Sequence, residues 1–357
     1  MRLREGAAAT LPPWLVARAA VAAGIVLATV STDKLGVRHP PPLVDKLLAW
    51  DADLYRRIAE HGYRAVPQGF RFFPLFPMLV RVFGTVVGVD AAAVIIANVC
   101  AFAAGVALYE LVLRETGSAP AGRMATWLLL ACPACAPMVM GYAESLGILA
   151  AILGFLAARS GRWGWAALAG AVVGGTWSIG ALFCIPMGVE AWRGPGRRSW
   201  RALAASAPAL STLAYLAWVQ RETGHWYHDV FGVQSTIYHR ELREPVTRLV
   251  KAAYDLVAGH HPEGVVLPWA VLVIALVVIA LRKLPLSYGL WSLAILIVAV
   301  SARNIDSTER YTMRGFPIVI AAALLLRRER DQWLAVSLSL AGLVVYATAM
   351  MVGARVP

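Results

Sequence analysis

The sequence predicts an all-α polytopic membrane protein, and three observations lead to this fold class. Hydrophobic residues make up 59% of the 357 residues, charged residues make up only 15%, and the mean hydropathy is +0.64. A soluble domain of this size does not have such a composition. The net charge of +12 lies in short segments between apolar runs. This is typical of cytoplasmic membrane loops and not of a nucleic-acid surface.

Apolar runs along the chain predict a bundle of about 11 transmembrane helices. The runs cover residues 12–30, 91–113, 123–139, 143–159, 163–177, 179–193, 201–219, 265–282, 285–302, 312–327 and 332–352. Several runs are shorter than the roughly 20 residues that a perpendicular span needs. The first run follows two arginines and resembles a signal peptide. Because further spans follow, we interpret it as an uncleaved signal anchor.

Basic residues predict which loops face the cytoplasm. They cluster at five places, namely Arg114 with Arg123, Arg159 with Arg162, Arg193 with Arg197, Arg198 and Arg201, Arg282 with Lys283, and Arg327 with Arg328 and Arg330. The positive-inside rule assigns all of them to the cytoplasmic side. They share that side only if residues 163–193 cross the membrane twice. The N-terminus is then cytoplasmic and the C-terminus external, and we expect a location in the plasma (inner) membrane.

The run 72–88 is predicted to be a surface helix. As a membrane span it would place Arg114 outside, against the charge pattern. It would also expose Pro74, Pro77 and Arg81 to lipid, which is unfavourable. We therefore predict one integral membrane domain, residues 1–357, with a large first external loop, 31–90, that contains amphipathic helices and the active site. A second long external loop covers residues 220–263.

The first external loop contains an unusually polar stretch. Apolar residues recur there at spacings of three and four, which predicts one face of an amphipathic helix: Leu43, Leu47, Trp50, Leu54 and Ile58. Asp51 lies beside this stripe, and Gly62 lies where a left-handed C-terminal cap is expected. The stretch is either an interfacial helix with solvated charges or the holder of a carboxylate that acts on a lipid-borne substrate.

Three ordered motifs resemble one known family. The first consists of Trp50-Asp51-Ala52-x-x-Tyr55, Ile58-Ala59-x-x-Gly62-Tyr63 and Phe72-Phe73-Pro74-Leu75-Phe76-Pro77. The second is Tyr142-Ala143-Glu144-Ser145-Leu146, and the third is Ser307-x-x-Arg310-Tyr311-x-x-x-x-Phe316-Pro317. Together they resemble the signature of PIG-V-type mannosyltransferases, the GPI mannosyltransferase II family, and its bacterial relatives. The resemblance implies a GT-C fold and transfer of a sugar, typically mannose, from a polyprenyl-phosphate donor.

The resemblance implies Asp51 as an acidic catalytic residue, and the chemistry makes it a general base. A lipid-linked phosphate is a good leaving group, so one carboxylate and one or two arginines suffice. Arg310 with Tyr311 is the predicted donor-phosphate site. Residues predicted to bind substrate are Trp50, Tyr55, Tyr63, Tyr142 and Glu144. Asp53 holds a position that the signature leaves variable, and only a minor role is expected for it.

Structural interpretations of the same residues stay open. Asp51 as a solvated carboxylate, Arg310 in an ion pair with Glu309 or Asp306, and Glu144 closing a turn between two spans each fit the sequence. The spacing of the histidines matches no standard metal-ligand set, and neither a cofactor nor a metal is predicted. The expected partners are the polyprenyl-phosphate-linked sugar donor, a glycan, glycolipid or protein acceptor, and the lipid bilayer, with no nucleic acid.

The chain departs from the family pattern in two places. Relatives usually have Thr-Arg-Pro-x-Gly where this chain has Thr176-Trp177-Ser178-Ile179-Gly180, so the arginine is missing. Many bacterial relatives have Thr-Gly-Asp-Pro where this chain has Thr223-Gly224-His225-Trp226. These departures leave the identity of the donor or the acceptor open. Two alternative functions remain. One is a transporter or flippase for a lipid-linked sugar that uses the same external pocket without chemistry. The other is a non-catalytic subunit of a glycan assembly complex, which the missing Thr-Arg-Pro element makes plausible.

The predicted topology can be tested by cysteine labelling. Single cysteines are introduced at positions 51, 197 and 238 of a variant that lacks the four native cysteines. An impermeant maleimide applied to intact cells is expected to label positions 51 and 238 and to leave position 197 unlabelled. Labelling at 197 without labelling at 51 would overturn the arrangement.

Overall fold

The computed structural model describes residues 2–35, 43–232, 254, 263–301 and 308–353. The regular elements within these ranges are helices. The α-helices are α1 Arg2–Leu35, α2 Leu43–Leu47, α3 Asp51–His61, α4 Leu75–Val87, α5 Val89–Thr116, α6 Ala119–Ala131, α7 Glu144–Arg159, α8 Trp163–Thr176, α9 Cys184–Arg193, α10 Arg198–Thr223, α11 Glu263–Lys283, α12 Leu286–Ser301, α13 Thr308–Met313, α14 Pro317–Leu325 and α15 Glu329–Met351. Short 3₁₀ turns connect several of them.

Within the described residues each apolar run contains helix, but run 123–139 ends in a 3₁₀ turn after α6 and run 312–327 is broken between α13 and α14. Within the described ranges, four helical segments are long and apolar enough to cross a membrane: Leu3–Ser31, Val89–Thr116, Arg198–Thr223 and Glu329–Met351. Helices α4 and α12 are apolar but shorter. The count of about 11 spans therefore stays a prediction, as does the external position of the first loop. Most of the predicted second loop, including Tyr238, lies outside the described residues.

Contacts between residues divide the chain into two compact units. The first unit comprises Met1–Glu60, Leu79–Leu149 and Val319–Pro357, and the second comprises His61–Met78 and Ala150–Ile318. In the first unit, α1 packs against α5, α6 and α15. In the second, α10 packs along α8 and α9, while α12 contacts α9, α11 and α13. A single integral domain over residues 1–357 stays a prediction.

Small residues allow close helix packing in the first unit. Gly24 of α1 lies against α15, where a Cβ atom on it would meet the Ala347 Cβ at 2.7 Å and the Val344 carbonyl oxygen at 2.9 Å. The Thr348 hydroxyl donates to the Gly24 carbonyl oxygen at 3.2 Å. Close approach of this kind is a common way for helices to associate in an apolar environment.

Aromatic side chains form the core of the second unit. The Phe155 ring stacks on Tyr288 with centroids 4.5 Å apart, and it contacts Phe183 and Phe316 edge-on at 5.5 and 5.7 Å. Phe183 in turn contacts Trp291 at 5.0 Å. Such pairs contribute about 0.5–1.5 kcal/mol each beyond the area they bury. The cluster holds α7, α12 and the residues before α14 together.

Helices α8 and α9 form a hairpin. The indole N–H of Trp163, at the start of α8, donates to the Pro195 carbonyl oxygen, beyond the end of α9, at 3.0 Å. Arg159 lies 3.8 Å from Glu190 at the same end. The turn between the helices contains Trp177 and Gly180. The start of α8 and the end of α9 therefore lie close together, and the double crossing of residues 163–193 stays a prediction.

The continuous amphipathic helix predicted through Leu43 and Ile58 is wrong. Helix α2 ends at Leu47 and α3 begins at Asp51, with Trp50 between them at a positive φ of 62°. The face of α3 that packs inward is also different, because it contains Ala52, Tyr55, Ile58 and Ala59. Gly62 has a positive φ of 82°, but its ψ of 172° is not that of a left-handed cap.

The α1–α15 contact predicts a difference between two glycine substitutions. Gly24→Ala introduces a Cβ closer than 3.0 Å to α15, and such overpacking costs about 1–3 kcal/mol. The matched control is Gly188→Ala in α9, where a Cβ meets nothing within 4 Å. We expect a lower midpoint of thermal unfolding in detergent for the first variant and an unchanged or slightly higher one for the second. Equal midpoints would contradict the α1–α15 packing.

Candidate functional site

The short break between α2 and α3 positions the predicted catalytic carboxylate. The Ala49 N–H donates to the Lys46 carbonyl oxygen at 3.3 Å, which ends α2 with a tight turn. Trp50 then adopts its positive φ, a conformation that costs a non-glycine residue roughly 1–3 kcal/mol and persists where the surroundings impose it. Asp51 follows as the first residue of α3 and is half-buried. The chain therefore turns sharply immediately before the carboxylate.

Two distant segments hold this break in place. The Trp50 indole N–H donates to the Met350 carbonyl oxygen, at the end of α15, at 3.2 Å. The Tyr142 hydroxyl accepts a hydrogen bond from the Asp51 backbone N–H at 3.2 Å. The first N–H groups of a helix lack partners within it, so Tyr142 caps α3. The Gly141 N–H donates to the Leu47 carbonyl oxygen at 2.9 Å.

The structure thus brings two of the predicted motifs together. Trp50 and Asp51 of the first motif meet Tyr142 of the second, 91 residues away, and the Tyr142 side chain is fully buried. Glu144, also buried, is the first residue of α7. Tyr55 is buried on the inward face of α3. Substrate binding by these residues stays a prediction.

A cavity of about 300 Å³ lies beside α3, and Asp53 lines it with Arg56, Asp90, Asp45, Leu48 and Ala49. Arg56 is 2.6 Å from Asp53 and 3.7 Å from both Glu60 and Asp90. The hydrogen bond to Asp53 raises the pKa of Arg56, with a smaller contribution from the neighbouring carboxylates. Asp53, expected to have a minor role, is therefore tied into an ion pair at the cavity wall.

Tyr63 belongs to an aromatic cluster of the second unit. Its hydroxyl donates to the Phe72 carbonyl oxygen at 3.0 Å, and its ring stacks on Phe70 with centroids 5.6 Å apart. The Tyr215 hydroxyl donates to the same Phe72 oxygen at 3.0 Å. Burial raises the pKa of Tyr63 well above its usual range. These contacts are those of a packed core residue, and its role in sugar binding stays a prediction.

The predicted phosphate site lies on α13. Arg310 is only 6% exposed, and its Cζ atom lies 5.1 Å from the centre of the neighbouring Tyr311 ring. Glu309 is buried beside it. Asp306, the other predicted ion-pair partner, and Ser307 of the third motif lie outside the described residues. Arg310 and Tyr311 are therefore together and buried, and their role as a donor-phosphate site stays a prediction.

The residues predicted from the sequence did not include a second buried arginine, Arg314. Arg314 is as buried as Arg310, and its Cζ atom lies 4.4 Å from the centre of the Tyr311 ring and 5.2 Å from the centre of the Trp177 ring. A usable signal was present, because Arg314 is a basic residue inside the apolar run 312–327, four positions after Arg310. Trp177 is the residue that replaces the arginine of the Thr-Arg-Pro element.

Metal-ligating side chains do not cluster in the part of the chain that the structure describes. Among residues 2–35, 43–232, 254, 263–301 and 308–353, no group of three or more His, Cys, Asp or Glu side chains is arranged to hold a metal ion.

Comparisons with known proteins support the fold and the resemblance. Residues 40–191 match the family model described as Mannosyltransferase (PIG-V), which confirms the resemblance to PIG-V-type mannosyltransferases over the segment that contains the first two motifs. No sequence among the curated proteins is significantly similar to the chain.

Solved structures show the same fold. ArnT from Cupriavidus metallidurans bound to undecaprenyl phosphate superposes with a TM-score of 0.52 at 18% identity, covering 90% of this chain and 62% of that chain. The apo state of the same protein gives 0.51 at 18% identity, covering 91% and 62%. The chain therefore spans less than two thirds of the ArnT chain. The likeness to these structures shows a shared fold, and the apolar helices indicate a multi-pass membrane protein.

The Tyr142 contact predicts that its hydroxyl stabilises the α2–α3 break. Tyr142→Phe removes the acceptor of a part-buried hydrogen bond from the Asp51 N–H, and such a bond contributes about 0.5–1.5 kcal/mol. We expect a lower midpoint of thermal unfolding in detergent. Tyr227→Phe is the matched control, because Tyr227 is 65% exposed, and it should leave the midpoint unchanged. Equal midpoints for the two variants would contradict the capping role.

Proposed function

We propose that the protein is a membrane glycosyltransferase that moves a sugar from a polyprenyl-phosphate donor to an acceptor hydroxyl, with Asp51 as the general base. The observation that carries the proposal is the contact between Tyr142 and Asp51 at 3.2 Å, because it joins the two motifs that lie within the matched PIG-V segment. The fold of ArnT, which binds undecaprenyl phosphate, supports a lipid-linked phosphate as the donor.

The proposed reaction is a substitution at the anomeric carbon of the donor sugar. The acceptor oxygen forms a bond to that carbon, its proton passes to the Asp51 carboxylate, and the bond to the phosphate oxygen breaks. The polyprenyl phosphate leaves with the bonding electrons. No proton needs to be supplied to this leaving group, so the demands on the protein are a base for the acceptor and positive charge for the phosphate.

The position of Asp51 suits a base. The first turn of a helix stabilises a negative charge, which favours the ionised carboxylate that accepts a proton. The side chain is half-buried, so it keeps access to a substrate. Hydrogen bonds of Trp50 with Met350 and of the Asp51 N–H with Tyr142 restrict the backbone just before the carboxylate. A base that is held in place in this way loses little freedom when the substrate binds.

Arg310 is the proposed clamp for the donor phosphate. A guanidinium group matches the geometry of phosphate oxygens and stays charged when it is buried. Tyr311 flanks it. Trp50, Tyr55, Tyr63, Tyr142 and Glu144 are proposed to contribute to substrate binding or to the walls of the site. Substitution of each of these residues tests its own role.

We infer mannose as the transferred sugar from the match to the Mannosyltransferase (PIG-V) model. The acceptor is a hydroxyl of a glycan, a glycolipid or a protein. From the distribution of arginines, we propose that the active-site loop lies on the external face of the plasma membrane.

One assay distinguishes the three function classes that the sequence left open. The purified protein in liposomes is supplied with radiolabelled mannosyl-phospho-undecaprenol and a mixture of envelope acceptors. We expect the label to leave the lipid. Intact labelled lipid that moves between leaflets would indicate a flippase instead. Neither transfer nor movement would indicate a non-catalytic subunit, and either of these two results would contradict the proposal.

The assignment of the base predicts the effect of one substitution. Asp51→Asn keeps the shape and the hydrogen bonding of the side chain but cannot accept the proton. Turnover is expected to fall by roughly 10²–10⁴, and the free energy of unfolding to fall by no more than about 1 kcal/mol, because the first turn of α3 stabilises the charge that is lost. Binding of the donor lipid should hardly change, because the phosphate is assigned to Arg310. Transfer rate, donor affinity and thermal unfolding are measured on the same preparation.

The matched control for this test is Asp53→Asn. It removes the same charge two residues away, from an ion pair with Arg56 that is worth about 0–1 kcal/mol at a partly exposed site. Its effect on turnover should be mild. Arg310→Ala is expected to weaken donor binding as well as turnover. Retention of more than about a tenth of the turnover in Asp51→Asn, with loss of turnover in Asp53→Asn or Glu144→Gln, would overturn the assignment.

A further inference from the structure

Helix α10 of the second unit begins with basic residues, although the start of a helix is itself positive. The aligned peptide dipoles favour acidic side chains in the first turn and disfavour basic ones. The first turn of α10 contains no acidic residue. Arg197 is the N-cap residue, Arg198 is the first residue of the helix, and Arg201 is the fourth. The start of α10 therefore disfavours cations, yet it contains three arginines.

The backbone N–H groups at this helix start also lack a cap. The first N–H groups of any helix have no partner within it. The side chain of Arg197 does not cap them, since a guanidinium group has donors and no acceptor. The helical pattern opens with the Arg201 N–H, which donates to the Arg197 carbonyl oxygen at 3.2 Å. The first turn therefore presents backbone N–H donors next to guanidinium groups.

Arg201 is a buried cation. It is only 6% exposed, and its Nε atom has no hydrogen-bond partner among the residues that the structure describes. Buried charges in proteins are normally paired, because burial of an unpaired charge is costly. Arg201 lies on the buried face of α10 in line with Ala204, Ala205 and Pro208. Since α10 packs along α8 and α9, the Arg201 side chain lies on the side of these two helices.

The acidic side chains of α8, α9 and α10 are engaged elsewhere. Helices α8 and α9 contain one acidic residue, Glu190. One of its oxygens accepts from the Ser287 hydroxyl, and the other lies 3.8 Å from Arg159. Helix α10 contains Glu222 in its last turn, where it pairs with Arg64 at 2.7 Å. Compensation of the Arg201 charge therefore calls for an anion from outside these helices.

Helix geometry directs Arg201 towards the start of α10. Side chains of an α-helix point back towards its N-terminus, over the preceding turn. Residues three positions apart are neighbours, with Cβ atoms about 5–6 Å apart, so Arg201 lies next to Arg198. The Arg198 side chain extends towards the end of α9, where its Cζ atom lies 5.7 Å from the centre of the Trp192 ring. Arg201 is thus aimed at the turn whose N–H groups lack a cap.

The turn before α10 is fixed to α8 and α9. The Trp163 indole N–H donates to the Pro195 carbonyl oxygen at 3.0 Å. The Gly194 N–H donates to the Glu190 carbonyl oxygen at 2.8 Å, and a Cβ atom on Gly194 would collide with the Trp163 ring. The start of α10 is therefore held in place before any ligand binds, so little freedom is lost on binding.

Exposed apolar side chains flank this helix start and indicate a lipid ligand. Trp192 is 79% exposed and Trp200 is 51% exposed, and tryptophan is enriched at the headgroup level of a bilayer. Further along α10, Leu203, Leu210 and Leu213 are exposed as well, on a helix that is long and apolar enough to cross a membrane. An anion at the start of α10 therefore lies at headgroup level, and acyl chains attached to it can lie along the leucines.

We propose that the start of α10 binds the phosphate group of an anionic phospholipid, with Arg201 as the buried contact and Arg197 and Arg198 at the rim. The Arg201 guanidinium and the uncapped N–H groups of the first turn donate to the phosphate oxygens. A headgroup with a net negative charge offsets the like charges of the three arginines, whereas a zwitterionic headgroup adds another cation. None of these residues takes part in the proposed sugar transfer.

Lipid binding is measured on the purified full-length protein in detergent by native mass spectrometry. The ligands are phosphatidylglycerol, phosphatidylcholine with the same acyl chains, and inorganic phosphate. The wild-type protein is expected to bind phosphatidylglycerol about 10-fold or more tightly than phosphatidylcholine. Equal affinity for the two lipids would refute an anionic headgroup as the ligand. Binding of inorganic phosphate as tight as that of phosphatidylglycerol would refute the lipid and identify a free anion.

Substitutions distinguish the buried arginine from those at the rim. Arg201→Gln should raise the Kd for phosphatidylglycerol about 10- to 100-fold. The double variant Arg197→Gln with Arg198→Gln should raise it about 5- to 30-fold, because both side chains are exposed and act on the headgroup mainly through their charge. Arg282→Gln is the matched control and should leave the Kd unchanged. Arg282 is an exposed arginine in the last turn of α11, where the helix dipole favours a cation.

Thermal unfolding separates lipid binding from a structural role of Arg201. Without lipid, Arg201→Gln is expected to keep or raise the unfolding midpoint, because it removes a buried charge from the positive end of a helix. Phosphatidylglycerol should raise the midpoint of the wild-type protein more than that of the variant, since a ligand stabilises the state that binds it. A lower midpoint of lipid-free Arg201→Gln with unchanged lipid affinity would show a structural arginine and refute the inference.

The double variant keeps the inference testable if Arg201→Gln does not fold. Arg197 and Arg198 are exposed, so their substitution leaves the packing of α10 intact. An unchanged Kd for phosphatidylglycerol in the double variant would then contradict a headgroup site at the start of α10, and the expected loss of affinity would support it.

Discussion

A helix that breaks in apolar surroundings has to find partners for the backbone groups that it releases, and this constraint shapes both units of the protein. The first N–H groups and the last carbonyl groups of a helix have no partners within it, and there is little water in a membrane protein to replace them. At the break before α3, Tyr142 accepts from the Asp51 N–H. In the turn of Gly315, the carbonyl oxygens of Arg314 and Gly315 accept from Trp291 and Ser292.

These breaks are also where the candidate functional residues lie. Asp51 opens α3 after a residue with positive φ, Trp177 follows the last residue of α8, and Arg314 follows the last residue of α13. A side chain at a helix end can extend beyond the packed row of helices, whereas a side chain in mid-helix faces either the core or lipid. The hydrogen bonds that satisfy the break then also hold the side chain, so one set of contacts supports the fold and orients the site.

Several arginine side chains of both units are also held by specific contacts. In the first unit, Arg56 lies among three carboxylates, whereas Arg18 donates to Asn98 and lies against the Trp14 ring. In the second unit, Arg310 and Arg314 are buried against aromatic rings.

The sequence by itself determined the fold class, the helical nature of the apolar runs and the resemblance to PIG-V-type mannosyltransferases. These properties depend on composition, on periodicity and on short motifs, all of which are local along the chain. The number of membrane crossings and the facing of the loops remain predictions, since they depend on the bilayer as well as on the chain.

Only the tertiary structure decided the break at Trp50, the inward face of α3 and the partners of Asp51 and Arg314. Helical periodicity through Leu43 and Ile58 predicts one helix, because spacing counts apolar residues and contains no information on positive φ. The break is stabilised by Met350 and Tyr142, which are far from it in sequence. The contact of Arg314 with the Trp177 ring likewise joins α13 to a residue more than 130 positions earlier. Such contacts depend on how helices pack, and no local pattern specifies that.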